Sequence, residues 1–167
     1  KIVATTIPTK ALQSTPTVAI SMPSAIPTID PTADWKTYKN DEYKIEFKYP
    51  KHWRYKKRDK TVVGQEIWFG TGDWKNVITF YVNKDKYLSF TKDGKHVTCQ
   101  ERGGDEITIG NNNEGLIEHI SATQSPAQDW VCFEKNNLSY EFQHIYGFVV
   151  DSKDVFDQIL STFKFTD

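Results

Sequence analysis

The sequence has little of what usually identifies a protein's chemistry. Its 167 residues include two cysteines, one methionine and no apolar run near the ~20 residues of a membrane-spanning helix. Neither sign of charge is in excess: 21 Lys and Arg stand against 22 Asp and Glu, for a net charge of -1. That balance removes the electrostatic case for nucleic acid or an anionic membrane surface as a partner. Attachment to a membrane is expected only through an anchor that this chain does not contain. The motifs of nucleophilic and metal-assisted catalysis are missing too: there is no G-x-S-x-G, no H-E-x-x-H and no P-loop. The lone G-x-G of "FGTGDW" lies between two strand-like segments rather than ahead of a helix, so it reads as a hairpin turn and no cofactor is expected. No catalytic residue and no metal ligand is assigned.

Residues 1–33 lack aromatic side chains altogether and hold five of the seven prolines, at positions 8, 16, 23, 27 and 31. Each proline removes a backbone donor and interrupts helix or central strand. With its many Thr and Ser residues, the segment reads as an extended, semi-stiff spacer of the kind found between a membrane anchor and an exported domain. From Asp34 to Asp167 the texture is that of one globular domain, with 14% aromatics in the chain as a whole.

What is present is alternation. "YKIEFKYP" puts Tyr43, Ile45, Phe47 and Tyr49 on one face and Lys44, Glu46 and Lys48 on the other, a half-buried strand that Pro50 ends. "HWRYK" (52–56) continues as a second short strand. Further strands are expected over 63–70, 76–83, 106–110, 115–122, 129–135 and 138–146. "GTGD", "KDGK", "RGGD" and "GNNNEG" supply turns between them. At 152–163 the period changes: Val155, Phe156, Ile159, Leu160 and Phe163 fall at helical spacing, with Ser152 placed to cap and Asp154 in the first turn. The pattern predicts a largely antiparallel sheet closed by a C-terminal amphipathic helix, an α+β fold.

Two segments carry a family resemblance. "YKIEFKYPKHW" resembles the F-x-F-x-Y-P-x-x-W opening of domains related to the PsbP extrinsic protein of photosystem II. "FDQILSTFKF" is similar to their terminal helix running into a last short strand, and "EITIGNNNEG" sits where they often have an i-x-i-G strand and turn. The resemblance is closest to small bacterial, lipoprotein-like or anchored members. It implies an α/β/α sandwich, a central antiparallel sheet with helices on its faces, and an accessory rather than catalytic role. The chain departs from the family at "NKDKYLSFTKDGKHVTCQE", which is polar and poor in the helical periodicity relatives show there.

Candidate functional residues are few. Cys99 and Cys132, each on an expected strand, are an even pair in a chain with an export-like spacer, and they predict a disulfide. The alternatives are two buried thiols, or a zinc site with His96 and His119 or His144, whose spacing matches no zinc motif. His119 and His144 are candidates for cross-strand neighbours on a polar face. Glu114, Glu118, Glu134 and Glu141 offer carboxylates without a fixed mutual distance. "KHWRYKKRDK" (51–60) holds six basic residues against one acidic. Within it, Arg54, Lys56 and Arg58 form a candidate patch for an anionic polymer or an acidic partner, set against the plain role of charge on an edge strand. Trp74, flanked by Asp73 and Asn76 in "GTGDWKN", could stack on a sugar or anchor a protein. Trp35, Trp53, Trp68 and Trp130 read as core or lid.

Together these features predict a non-catalytic, extracytoplasmic accessory or binding module for a cell-envelope protein or polysaccharide, tethered by its spacer. The competing classes are a carbohydrate-binding module using exposed Trp, and an extracytoplasmic hydrolase built on His and Glu. They differ in an observable way. A binding module exposes its recognition side chains, whereas an enzyme converges titratable groups in a deep cleft.

Overall fold

The first alternating segment forms a strand from Ile45 onward, while Tyr43 and Lys44, expected to belong to it, lie in the turn before it, Lys44 at φ +53. In the computed structural model, which describes residues 30–61, 64–72, 78–92, 95–121, 123, 126–146 and 152–166, β2 (Ile45–Tyr49) buries Ile45, Phe47 and Tyr49 and leaves Glu46 and Lys48 half-buried. Of the expected spacer, residues 1–29 lie outside the described residues. Pro50 ends the strand, and Trp53 donates its backbone N–H to the Pro50 carbonyl (2.9 Å) while its ring is buried. β1 (Lys36–Asn40) pairs antiparallel with β2 and sets Tyr38 opposite Phe47.

The chain then enters a larger sheet through β3 (Arg54–Thr61), β4 (Gly64–Gly70) and β5 (Ile78–Asn83). A hairpin follows, β6 (Tyr87–Lys92) and β7 (Lys95–Thr98), and then the four-residue helix α1 (Cys99–Arg102). The sheet resumes with β8 (Asp105–Ile109), β9 (Asn113–Ile120), β10 (Gln128–Lys135) and β11 (Leu138–Ile145). The chain closes with α2 (Ser152–Ser161) and β12 (Lys164–Phe165), which adds to the free side of β2. The seven-stranded sheet has the order β3-β4-β5-β11-β10-β9-β8 and is antiparallel throughout. The fold is thus mostly antiparallel sheet with a few helices, the expected α+β class.

One face of that sheet, the core face, packs against β1-β2-β12 and α2. Phe47 is its hub, with ring centroids 5.2 Å from Phe69 and 5.3 Å from both Phe80 and Phe142. Phe156, Ile159, Leu160 and Phe163 of α2 and its exit are all buried here, which accounts for their helical spacing. Gly110 is at φ +53 and lies so close to the end of α2 that a Cβ would overlap the Phe163 carbonyl. Its N–H donates to the Leu160 carbonyl at 3.0 Å, joining the β8–β9 turn to the helix end.

The other face, the second face, carries the β6-β7 hairpin and α1 where the family resemblance implies a longer helix. The polar 83–101 segment supplies no apolar helical stripe, so extended chain is the cheaper way to cover the sheet. Cys99 does not lie on a strand as expected: it opens α1, whose Thr98 and Glu101 form a capping box. The disulfide is formed, Cys99 to Cys132, and bolts α1 onto β10 with a Cα–Cα distance of 5.7 Å. Leu88 packs beside it in a small satellite core.

Candidate functional site

β3 is an edge strand with one neighbour, β4, so its outer backbone groups carry no sheet partner. Alternation directs Arg54, Lys56 and Arg58 to the second face and Tyr55 and Lys57 to the core face, and all five are exposed. Tyr55 stays 46% exposed even though its ring meets Tyr38 and Phe69 at 5.2 and 5.9 Å. Arg58 lies over the half-buried Trp68 ring at 4.5 Å and reaches Glu66 at 3.8 Å. Glu66 in turn accepts a 2.7 Å hydrogen bond from Trp68 Nε1. At this exposure the Arg58 contacts are worth about 1 kcal/mol each or less. Arg54 and Lys56 have no ion-pair partner among the described residues, so their charge faces solvent. The structure therefore brings together three of the candidate binding residues, Arg54, Lys56 and Arg58. The other three, Asp73, Trp74 and Asn76, lie outside the described residues.

Further across the second face the polar groups are engaged internally. Glu141 is fully buried and accepts from Asn83 Nδ2 at 2.6 Å. Tyr81 sits between Glu66 and Glu141 in register, and burial, then those two carboxylates, push its phenol well above the ordinary tyrosine range. Trp130 stacks parallel to Tyr81 and is capped by Arg102 at 4.7 Å, while Arg102 pairs with Glu118 at 2.7 Å. Glu134 accepts the Cys99 N–H at 3.0 Å. The candidate carboxylates Glu118, Glu134 and Glu141 thus each have a structural partner, and Glu114 is exposed. Where the second face reaches the opposite edge, Glu106, Glu114 and Glu134 line a groove of about 920 Å³ along β8 and β9.

A separate titratable cluster sits at one end of the core face. His119 and His144 are not on adjacent strands, as the sequence suggested; they flank Asp129 of the intervening β10. Nor do they share a polar face. His144 is buried against Phe156 at 5.1 Å, and burial holds its imidazole below the ordinary histidine value. Asp129, also buried, accepts from His119 Nδ1 at 2.6 Å and from the Tyr146 hydroxyl. Burial and then the bond to Asp129 raise the Tyr146 phenol. This orients an imidazole as a general base would be oriented, yet no hydrogen bond joins His119 to a Ser, Thr or Cys among the described residues. Oxidation of Cys99 and Cys132 removes the thiolates a zinc site would use, and His96 instead lies 3.3 Å from the Leu88 carbonyl. The His119–Asp129–Tyr146 grouping was not visible in the sequence because its members meet only through the register of β9, β10 and β11.

The four described tryptophans are core or lid rather than platforms: Trp53 and Trp130 are buried, Trp35 and Trp68 half-buried. The carbohydrate-binding expectation retains only Trp74, outside the described residues.

No family model and no curated protein sequence matches the chain. Two solved structures share its fold. The solution structure of cyanobacterial PsbP (CyanoP) from Synechocystis sp. PCC 6803 is 12% identical, with a TM-score of 0.52 over 80% of this chain and 93% of that one. A crystal structure from Bacteroides thetaiotaomicron is 13% identical, with a TM-score of 0.50 over 80% of this chain and 49% of that one. This chain therefore spans about half the length of the Bacteroides protein. At such identities the likeness shows the fold alone, a PsbP-like α+β arrangement.

Proposed function

We propose that this chain is a non-catalytic binding module that presents the basic face of its edge strand β3 to an acidic partner outside the reducing cytoplasm. The observation that carries the reading is the alignment of Arg54, Lys56 and Arg58 on one exposed face of a strand whose outer edge is unpaired. Three cations at alternate positions repeat every ~7 Å, a spacing suited to a linear polyanion or an acidic strand. The Cys99–Cys132 bridge supports an oxidising compartment, since such bonds are rare where glutathione keeps thiols reduced. In this reading the Pro/Thr/Ser-rich residues 1–29 carry the domain away from its point of attachment. Residues 30–33 belong to the domain, where Thr32 is buried and bonded to Lys48.

The test is binding to poly-L-glutamate followed across ionic strength, for the wild type and for Arg54→Glu/Lys56→Glu. The wild type should bind at ~20 mM salt and release by ~500 mM, where the Debye length is only a few ångströms. The variant should keep its fold and lose binding at every salt concentration. Equal binding by the two proteins would overturn the assignment of this face.

A further inference from the structure

The two edges of the seven-stranded sheet carry opposite charge. At one edge, β3 exposes Arg54, Lys56, Lys57 and Arg58. At the other, β8 exposes Asp105 and Glu106 and lies beside a groove whose charged lining is Glu106, Glu114, Glu134 and Lys135, net acidic. Each edge strand has a single neighbour in the sheet. Among the described residues neither Asp105, Glu106 nor Glu114 is held in an ion pair.

From this we infer, building on the binding reading of β3, that the acidic partner of β3 is the β8 edge of a second copy of this chain. Seven antiparallel strands make β3 and β8 run in the same direction. Translation together with the rotation that follows the twist of the sheet therefore lays β3 of one copy along β8 of the next as parallel strands, and each face of the sheet continues as itself. On the second face Arg54, Lys56 and Arg58 then meet Glu106 and the acidic groove behind it. On the core face the same parallel register, with Lys56 beside Glu106, sets Tyr55 beside Asp105 and Lys57 beside Ile107. The half-exposed Tyr55 hydroxyl gains a carboxylate acceptor there, and the aliphatic stem of Lys57 an apolar neighbour.

Charge also excludes the alternatives. Two β3 edges repel one another, as do two β8 edges, so neither two-fold pairing competes. The contact is head-to-tail, and such a contact propagates unless its rotation happens to close a ring. The association is weak and salt-sensitive, because only side chains in solvent and one pair of strand edges take part.

Sedimentation velocity tests this on the whole chain, wild type against Arg54→Glu/Lys56→Glu and against Asp105→Lys/Glu106→Lys. At ~20 mM salt the wild type should shift with concentration from its 19.3 kDa monomer toward larger species, and return to monomer at ~500 mM. Each variant alone should remain monomeric at low salt. An equimolar mixture of the two variants should associate again, because each then supplies the edge the other has reversed. All substituted side chains are exposed, so loss of fold is not expected, and matching near-ultraviolet circular dichroism checks it. Wild type that stays monomeric at low salt, or a variant that associates as well as wild type, overturns the self-pairing. If the wild type is monomeric yet still binds polyglutamate through β3, the inference fails while the binding reading stands.

Discussion

The two faces of the seven-stranded sheet are made by the same strands, residue by alternate residue, and they are held by different chemistry. On the core face Phe69, Phe80 and Phe142 meet Phe47 and the apolar side of α2. On the second face Glu66, Tyr81, Asn83, Trp130 and Glu141 are buried as well, but each is tied to a hydrogen bond, an ion pair or a ring. Burial of apolar area suffices for the first face, while the second has to compensate desolvated polar groups one by one. Leu88 of the hairpin packs beside the Cys99–Cys132 bridge, which ties α1 covalently to β10.

Breaking the core face should cost most. Phe47→Ala removes a ring shared by three strands of the large sheet and should lower the unfolding free energy by about 3–5 kcal/mol, read from urea titration. A loss under about 1 kcal/mol would mean that the two sheets are not held together by this hub. On the second face, Cys99→Ser/Cys132→Ser opens a loop spanning 33 residues and should cost about 3–4 kcal/mol. The two variants should also differ in where they loosen. Hydrogen exchange in the bridge variant should rise first in the β6-β7 hairpin and α1, whereas Phe47→Ala should raise it across both sheets. Uniform acceleration in both variants would erase the distinction between the faces.

The same contrast explains what the sequence made legible. β2 and α2 were readable because their buried side chains follow one clean period, two residues in one case and three to four in the other. β1 was not, since "KTYKN" offers a single apolar side chain, Tyr38, and is recruited by pairing with β2. The helical start at Cys99 had a local signal in the Thr98-x-x-Glu101 capping box, masked by the strand-like "HVT" before it. The basic candidates Arg54, Lys56 and Arg58 lie on one strand, so alternation alone groups them. The acidic edge and the His119–Asp129–Tyr146 cluster are products of strand order, which no local pattern encodes.

The core face has one polar end, and His144 there should give the smallest and most specific effect. It is 2% exposed, neither ring nitrogen has a hydrogen-bond partner among the described residues, and it stacks on Phe156. Burial lowers its pKa from the ordinary 6.5; Lys153 lowers it further, while Asp129 and Asp157 oppose the shift. Because the folded value is depressed, the unfolded chain takes up the proton first as pH falls. The contribution of the neutral ring is therefore complete above about pH 6.5 and declines as pH drops toward the depressed folded value. Urea midpoints should hold steady from about pH 8 to 7 and fall between about 6.5 and 5. His144→Phe keeps a ring against Phe156, forfeits no hydrogen bond and removes the titration, so its midpoint should be flatter over that interval. If the two proteins lose stability in parallel as pH falls, the proton is being taken up elsewhere, and the polar end of the core face behaves no differently from the rest of it.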